Sequence, residues 1–184
     1  DLYTSNVTST GLRDTILRID HATKSVSTFV TNDPNANGGL NGGKGMAFGP
    51  DGDFYVASAN TNQVLRYNGS NGNFLSVFVG VGSGLDKPSA VLFGPDRNSD
   101  GVGDLFVASE NTNEVLVYSG INGFPLGVFI SNGNGGLVRP HEMEFGPDGF
   151  LYVVGRVSLT EPPKVFRFDG TNGNFIDIVV PSGL

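Results

Sequence analysis

The sequence predicts an all-β fold, a β-propeller of four blade repeats, each a four-stranded antiparallel sheet, with the first blade lacking its first strand. Three observations predict it. One block of residues recurs: 48–79 reads FGPDGDFYVASANTNQVLRYNGSNGNFLSVFV, 93–130 reads FGPDRNSDGVGDLFVASENTNEVLVYSGINGFPLGVFI, and 145–180 reads FGPDGFLYVVGRVSLTEPPKVFRFDGTNGNFIDIVV. Within each block, short apolar runs alternate with Gly, Pro, Asn and Asp, which is the pattern of strands closed by tight turns. A unit of about 50 residues made of such strands cannot bury its apolar faces alone, so neighbouring units must stack.

The elements follow in order. The first copy opens at Leu2-Tyr3, without a preceding FGPD, and continues through ILRID (16–20) to STFV (27–30). The second copy gives strands at 46–48, 54–57, 64–67 and 74–79. Pro50-Asp51-Gly52 and Pro147-Asp148-Gly149 are tight turns, because proline presets φ and glycine supplies positive φ. Asn60-Thr61-Asn62 and Asn111-Thr112-Asn113 join second to third strands, where asparagine tolerates a left-handed backbone. A Gly-Leu pair precedes each new copy, at 39–40, 84–85 and 136–137, and recurs at Gly183-Leu184. The blades therefore fall at 1–40, 41–85, 86–137 and 138–184, one array in all, expected to belong to a larger propeller or a self-assembling array. The aromatics Tyr55, Tyr67, Phe93, Phe106, Tyr118, Phe145, Tyr152 and Phe168 fall at blade-equivalent places and read as inter-blade core.

Composition narrows the function. A net charge of −7 opposes binding to nucleic acid or to an anionic membrane. No apolar run is long enough to span a bilayer. The absence of cysteine excludes disulfides and thiolate metal sites. The acidic, Asn/Gly/Ser/Thr-rich surface points to a secreted or cell-surface protein. Sequons stand at Asn6-Val7-Thr8 and Asn68-Gly69-Ser70.

Repeats of the form FGPDGxLYVAS followed by VLRYNGxNGxF resemble bacterial β-propellers of the NHL-repeat type. The resemblance covers essentially the whole chain and implies a propeller. Such propellers include binding and enzymatic members, so the fold alone does not select a function.

The third copy departs from its siblings. In place of a PDG turn it carries Asp96, Asn98, Asp100 and Asp104 at positions 1, 3, 5 and 9 of a longer loop, with Gly101 at position 6. Ca²⁺ takes six to eight hard oxygen ligands at flexible spacing. The loop resembles the calcium loops of FG-GAP propellers, which likewise join the first and second strands of a blade. That resemblance implies one structural Ca²⁺, held by Asp96, Asn98, Asp100, the Val102 carbonyl and Asp104. No glutamate stands at position 12, so the loop is not that of an EF-hand.

Of the two histidines, His21 reads as a surface turn residue. His141, with Glu142, precedes the first strand of the fourth copy, where a propeller's channel opens. The equivalent residues are Lys44-Gly45 and Ser89-Ala90, a funnel able to hold a polar ligand or assist proton transfer. Propellers of the virginiamycin B lyase-like and lactonase-like type place His and Glu in this manner, which implies a lyase or lactonase as one alternative. No GxSxG, HExxH or phosphate-binding glycine loop is present. The main expectation is a calcium-stabilised scaffold binding a protein or small polar ligand. A filament assembled by strand complementation is a further alternative, since an unpaired edge recruits strands.

Overall fold

The computed structural model describes residues 1–6 and 14–179. The Gly183-Leu184 pair lies outside them, as does most of the sequon that starts at Asn6. Strand β1 (Leu2–Asn6), β2 (Thr15–Ile19) and β3 (Val26–Val30) form a three-stranded antiparallel sheet. The second sheet takes β4 (Gly43–Phe48), β5 (Phe54–Ser58), β6 (Gln63–Tyr67) and β7 (Phe74–Val79) in sequence order. The third takes β8 (Pro88–Phe93), β9 (Leu105–Ser109), β10 (Glu114–Tyr118) and β11 (Pro125–Ile130). The fourth takes β12 (Val138–Phe145), β13 (Phe150–Arg156), β14 (Lys164–Asp169) and β15 (Phe175–Val179). Each sheet is a meander of neighbouring hairpins, and β1 stands where its siblings have their second strand. A single turn of 3₁₀ helix at Asn134–Gly136, not expected from the sequence, precedes β12.

The sheets stack face to face and form three cores. One lies between the first two sheets around Ile16, Phe54, Leu65 and Tyr67. The next lies between the second and third around Tyr55, Val64, Leu105 and Tyr118. The last lies between the third and fourth around Phe106, Val115, Phe166 and Phe168. Strands β5 and β9 are buried along their whole length, because a sheet covers each face. Strand β13 alternates instead, with Leu151 and Val153 buried and Phe150, Tyr152 and Val154 partly exposed. Only one of its faces meets a described sheet. Each Phe or Tyr fully buried in these cores contributes roughly 1.5–3 kcal/mol by leaving water.

An aromatic triad closes every interface in the same way. The second-strand aromatic meets the fourth-strand Phe of its own sheet and the FGP Phe of the next. Tyr55 lies 4.9 Å from both Phe78 and Phe93. Phe106 lies 5.1 Å from Phe129 and 5.2 Å from Phe145. Tyr3 lies 4.9 Å from Phe29 and 5.3 Å from Phe48. All six contacts are edge-on, the favoured arrangement for aromatic quadrupoles. The Leu of each described Gly-Leu pair is buried in the same cores, as Leu40, Leu85 and Leu137.

A polar clamp also joins each blade to its successor. Asn62 Oδ1 accepts the Lys87 backbone N–H at 2.8 Å, and Asn113 Oδ1 accepts that of Arg139 at 2.9 Å. In the first pair Asp14 Oδ2 accepts the N–H of Gly43, one residue further along, where the later blades have Pro88 and Pro140. Asn62 and Asn113 hold φ of 56° and 60°, the left-handed backbone expected of them. Strands β4 and β8 pack together, as do β8 and β12, so the first strands of the blades converge on one another.

Candidate functional site

At that convergence the beginnings of β4 and β12 and the residue before β8 meet the residue that follows β9. The centre is Glu110, whose side chain is only 4% exposed. Lys44 Nζ donates to Glu110 Oε2 at 2.6 Å. Lys87 Nζ reaches Oε1 at 3.5 Å, and Arg139 Nε stands 3.7 Å from the same oxygen. Three blades thus send one cation each to one carboxylate. Burial pushes the Glu110 carboxyl up, but the hydrogen bond and charge of Lys44 outweigh it, with Lys87 and His141 adding. The net result lies below the usual carboxylate range.

His141 sits beside this cluster. Burial is the first cause that holds its imidazole below 6.5. Lys44, Arg156 and Arg139 push the same way, and Glu110 opposes them. Partial withdrawal from water raises the Glu142 carboxyl, and Lys44 offsets some of the rise. The two side chains make no hydrogen bond to each other. His141 interacts with Glu110, whereas Glu142 lines a cleft of about 430 Å³ with Asp1, Tyr3, Met46, Phe54 and the same Lys44 that binds Glu110. That cleft spans the first, second and fourth sheets. Of the other funnel residues expected, Ser89 is buried and donates to Pro140 O at 2.6 Å, so it ties the third blade to the fourth. His21 lies exposed in a turn.

Sequence reasoning did not single out Glu110. Its signal was a single difference: Glu stands in ASEN where the second copy has Ala59 in ASAN.

The 96–104 loop turns on its own side chains. Asp96 Oδ1 accepts the Ser99 N–H at 2.7 Å, and Oδ2 accepts that of Gly101 at 2.8 Å. The Gly101 bond leads the causes that hold the Asp96 carboxyl below its ordinary value. Asn98 Nδ2 donates to Asp100 Oδ2 at 2.8 Å, and the Val102 N–H to Asp100 Oδ1 at 3.0 Å. Asp104 is fully buried, with Oδ2 holding the Arg97 N–H at 2.7 Å and Oδ1 that of Gly120 at 3.2 Å. The loop thus keeps Asp96, Asn98 and Asp100 exposed and turns Asp104 inward. Among the described residues no three His, Asp or Glu side chains gather as a metal-ligating group. The donor set that remains is hard oxygen, which suits Ca²⁺ chemically, with amide and backbone oxygens needed beside the carboxylates.

No protein-family model matches the chain, and no curated protein is similar to it in sequence. Solved structures are similar in fold. A luciferin-regenerating enzyme matches with a TM-score of 0.66 at 14% identity, over 96% of this chain and 60% of that one. A chain of a nidogen/laminin complex matches with 0.65 at 17%, over 96% and 60%. Virginiamycin B lyase from Staphylococcus aureus matches with 0.59 at 19%, over 97% and 55%. The fold is a β-propeller. The chain spans 60% of the length of the first two structures and 55% of the lyase, and likeness at these identities concerns the fold alone.

Proposed function

We propose that this protein is a binding propeller, an extracellular or cell-surface scaffold of the NHL type that holds a protein segment or small polar ligand at its channel mouth. One observation carries the reading: side chains from three blades converge on Glu110, while His141 and Glu142, the acid–base candidates, are not paired. General acid–base work needs each group within reach of the proton it moves; His141 and Glu142 make no hydrogen bond to each other, and Lys44, the cation that acts on both, is bound to Glu110. The test is a turnover screen on lactone and lyase substrates beside His141→Ala. No turnover is expected, and the variant should stay folded. Turnover that His141→Ala abolishes would replace the scaffold with the enzyme reading.

A structural Ca²⁺ in the 96–104 loop belongs to the same proposal. Asp96, Asn98, Asp100 and the Val102 carbonyl would hold it, with Asp104 closing the loop through the Arg97 N–H. Its support is charge: among the described residues no Lys or Arg pairs with Asp96, Asp100 or Asp104.

A second reading is assembly into a filament, in which a strand of another copy would pair with an open sheet edge. The face of the fourth sheet carrying Tyr152, Val154 and Val165 supports it. A concentration-independent monomer in sedimentation would exclude it.

A further inference from the structure

The channel mouth has a chemical preference that the scaffold reading leaves open, and this inference rests on that reading. Three observations bear on it. The first is stoichiometry: Lys44, Lys87 and Arg139 face a single buried carboxylate. Lys44 is committed, with a short bond to Glu110 and Glu142 across the cleft. Lys87 and Arg139 touch Glu110 only at long range, and their side chains are 38% and 43% exposed. Their donors are therefore largely free.

The second observation is backbone strain. Lys87 and Arg139 hold φ of 57° and 51°. Their blade-2 equivalent is Gly42, which holds φ of 68°. The left-handed region disfavours any residue with a Cβ. Each cation also precedes a proline, Pro88 or Pro140, which further restricts the residue before it. Glycine relieves that strain in one blade, yet the other two place a lysine and an arginine there. Strain of this kind, kept by a clamp from the preceding blade, marks a position held for its side chain.

The third is the setting. The chain carries a net charge of −7, so two free cations fixed at one mouth stand against the general field.

We infer that the channel mouth is an oxyanion site. Lys87 Nζ and the Arg139 guanidinium bind a carboxylate or phosphate group of a small ligand, and Glu110 holds the cations in place before the ligand arrives. A guanidinium beside an ammonium suits such a group, since the first gives a planar fork and the second a point charge. A carboxylate-rich and a phosphate-bearing ligand share this chemistry, and separate titrations with citrate and with inorganic phosphate tell them apart.

The test uses amide chemical shifts and calorimetry on the whole chain, with a Lys87→Gly/Arg139→Gly double variant. At least one anion should shift the amides of residues 86, 87, 89, 110, 138, 139, 141 and 142, more weakly as salt rises. The double variant should weaken that binding by at least about thirtyfold, given the strength of charge-assisted hydrogen bonds. Its melting temperature should hold or rise, because glycine relieves both left-handed positions. A marked fall in melting temperature would make the two cations structural counter-ions of Glu110 and overturn the site. Unchanged anion affinity in the variant would overturn it as well. A neutral ligand that shifts the same amides while neither anion does would sink the oxyanion assignment and leave channel-mouth binding standing. Silence of those amides toward every ligand tried would sink both.

Discussion

Blades 2 and 3 solve the same corner in different ways. In blade 2, Arg66 bridges two aspartates, with Nη2 2.6 Å from Asp51 and 2.7 Å from Asp53. Asp51 also accepts the Tyr55 hydroxyl at 2.8 Å, and Asp53 accepts the Gly69 N–H. Blade 3 changes all but one of these partners. Phe106 replaces Tyr55, and Val117 replaces Arg66 and is buried. Asp96 turns from the ring to the loop N–H groups, and Asp104 keeps the Gly120 N–H but gives its other oxygen to Arg97 N. The Arg97 side chain leaves the corner altogether, donating to Thr171 O at 2.6 Å and lying 4.7 Å over the Phe129 ring. A side-chain cation organises one corner, while backbone N–H groups organise the other and leave its carboxylates without a cation. The difference shows why the longer loop is a candidate for a metal ion and its siblings are not.

The heaviest blow to the comparison is Asp104→Ala. It strands the buried Gly120 N–H, removes the partner of the part-buried Arg97 N–H, and should cost about 2–4 kcal/mol in urea unfolding, since an orphaned buried donor costs about 1–3 kcal/mol and a lost hydrogen bond about 1 kcal/mol. A loss under about 1 kcal/mol would mean that the loop N–H groups do not organise the corner.

Calcium comes next. At one hundred times its dissociation constant an ion bound only to the folded state adds about 2.7 kcal/mol. EDTA should therefore lower the melting temperature, and Asp100→Ala should erase the difference between chelated and calcium-loaded protein. Identical melting with and without chelator removes the metal and leaves the loop to its own hydrogen bonds.

Exchanging the rings tests the covariation directly. Tyr55→Phe should cost about 1 kcal/mol through the lost bond to Asp51, and Phe106→Tyr about 1–2 kcal/mol, because no Asp51 equivalent faces the new hydroxyl. Equal tolerance of the two would show that the partners do not vary together.

The smallest effect lies at the mouth. His141 is held below 6.5 by burial first, so the unfolded chain takes its proton before the folded ring does. Stability should fall as pH drops below 6.5, and His141→Ala should flatten that part of the curve. A second decline should remain as pH falls below 4.5, where Glu110, held low by Lys44 against its burial, finally protonates and releases its cations.

Much of the fold was legible because its rules are local. The FGP phenylalanine and the second-strand aromatic recur at equivalent places in the blades, and the triads at Tyr3, Tyr55 and Phe106 follow from that recurrence. Asn62 and Asn113 were legible as left-handed turn residues, though not as clamps on the next blade. The mouth was harder to read. Lys44, Lys87 and Arg139 are far apart along the chain, and only the stacking of blades brings them to one carboxylate. Glu110 differed from Ala59 by one letter in an otherwise matching block. His141 and Glu142 looked like a pair because they are neighbours in sequence, yet they make no hydrogen bond to each other and what they share is the Lys44 charge.

The clamps carry a consequence for transplanting these repeats. The backbone that presents Lys87 is held by Asn62 of the blade before it, and that of Arg139 by Asn113. A single repeat therefore encodes only half of each position at the mouth. A blade moved into another propeller would carry its cation but leave behind the asparagine that aims it, so the unit of inheritance for the mouth is a pair of adjacent blades.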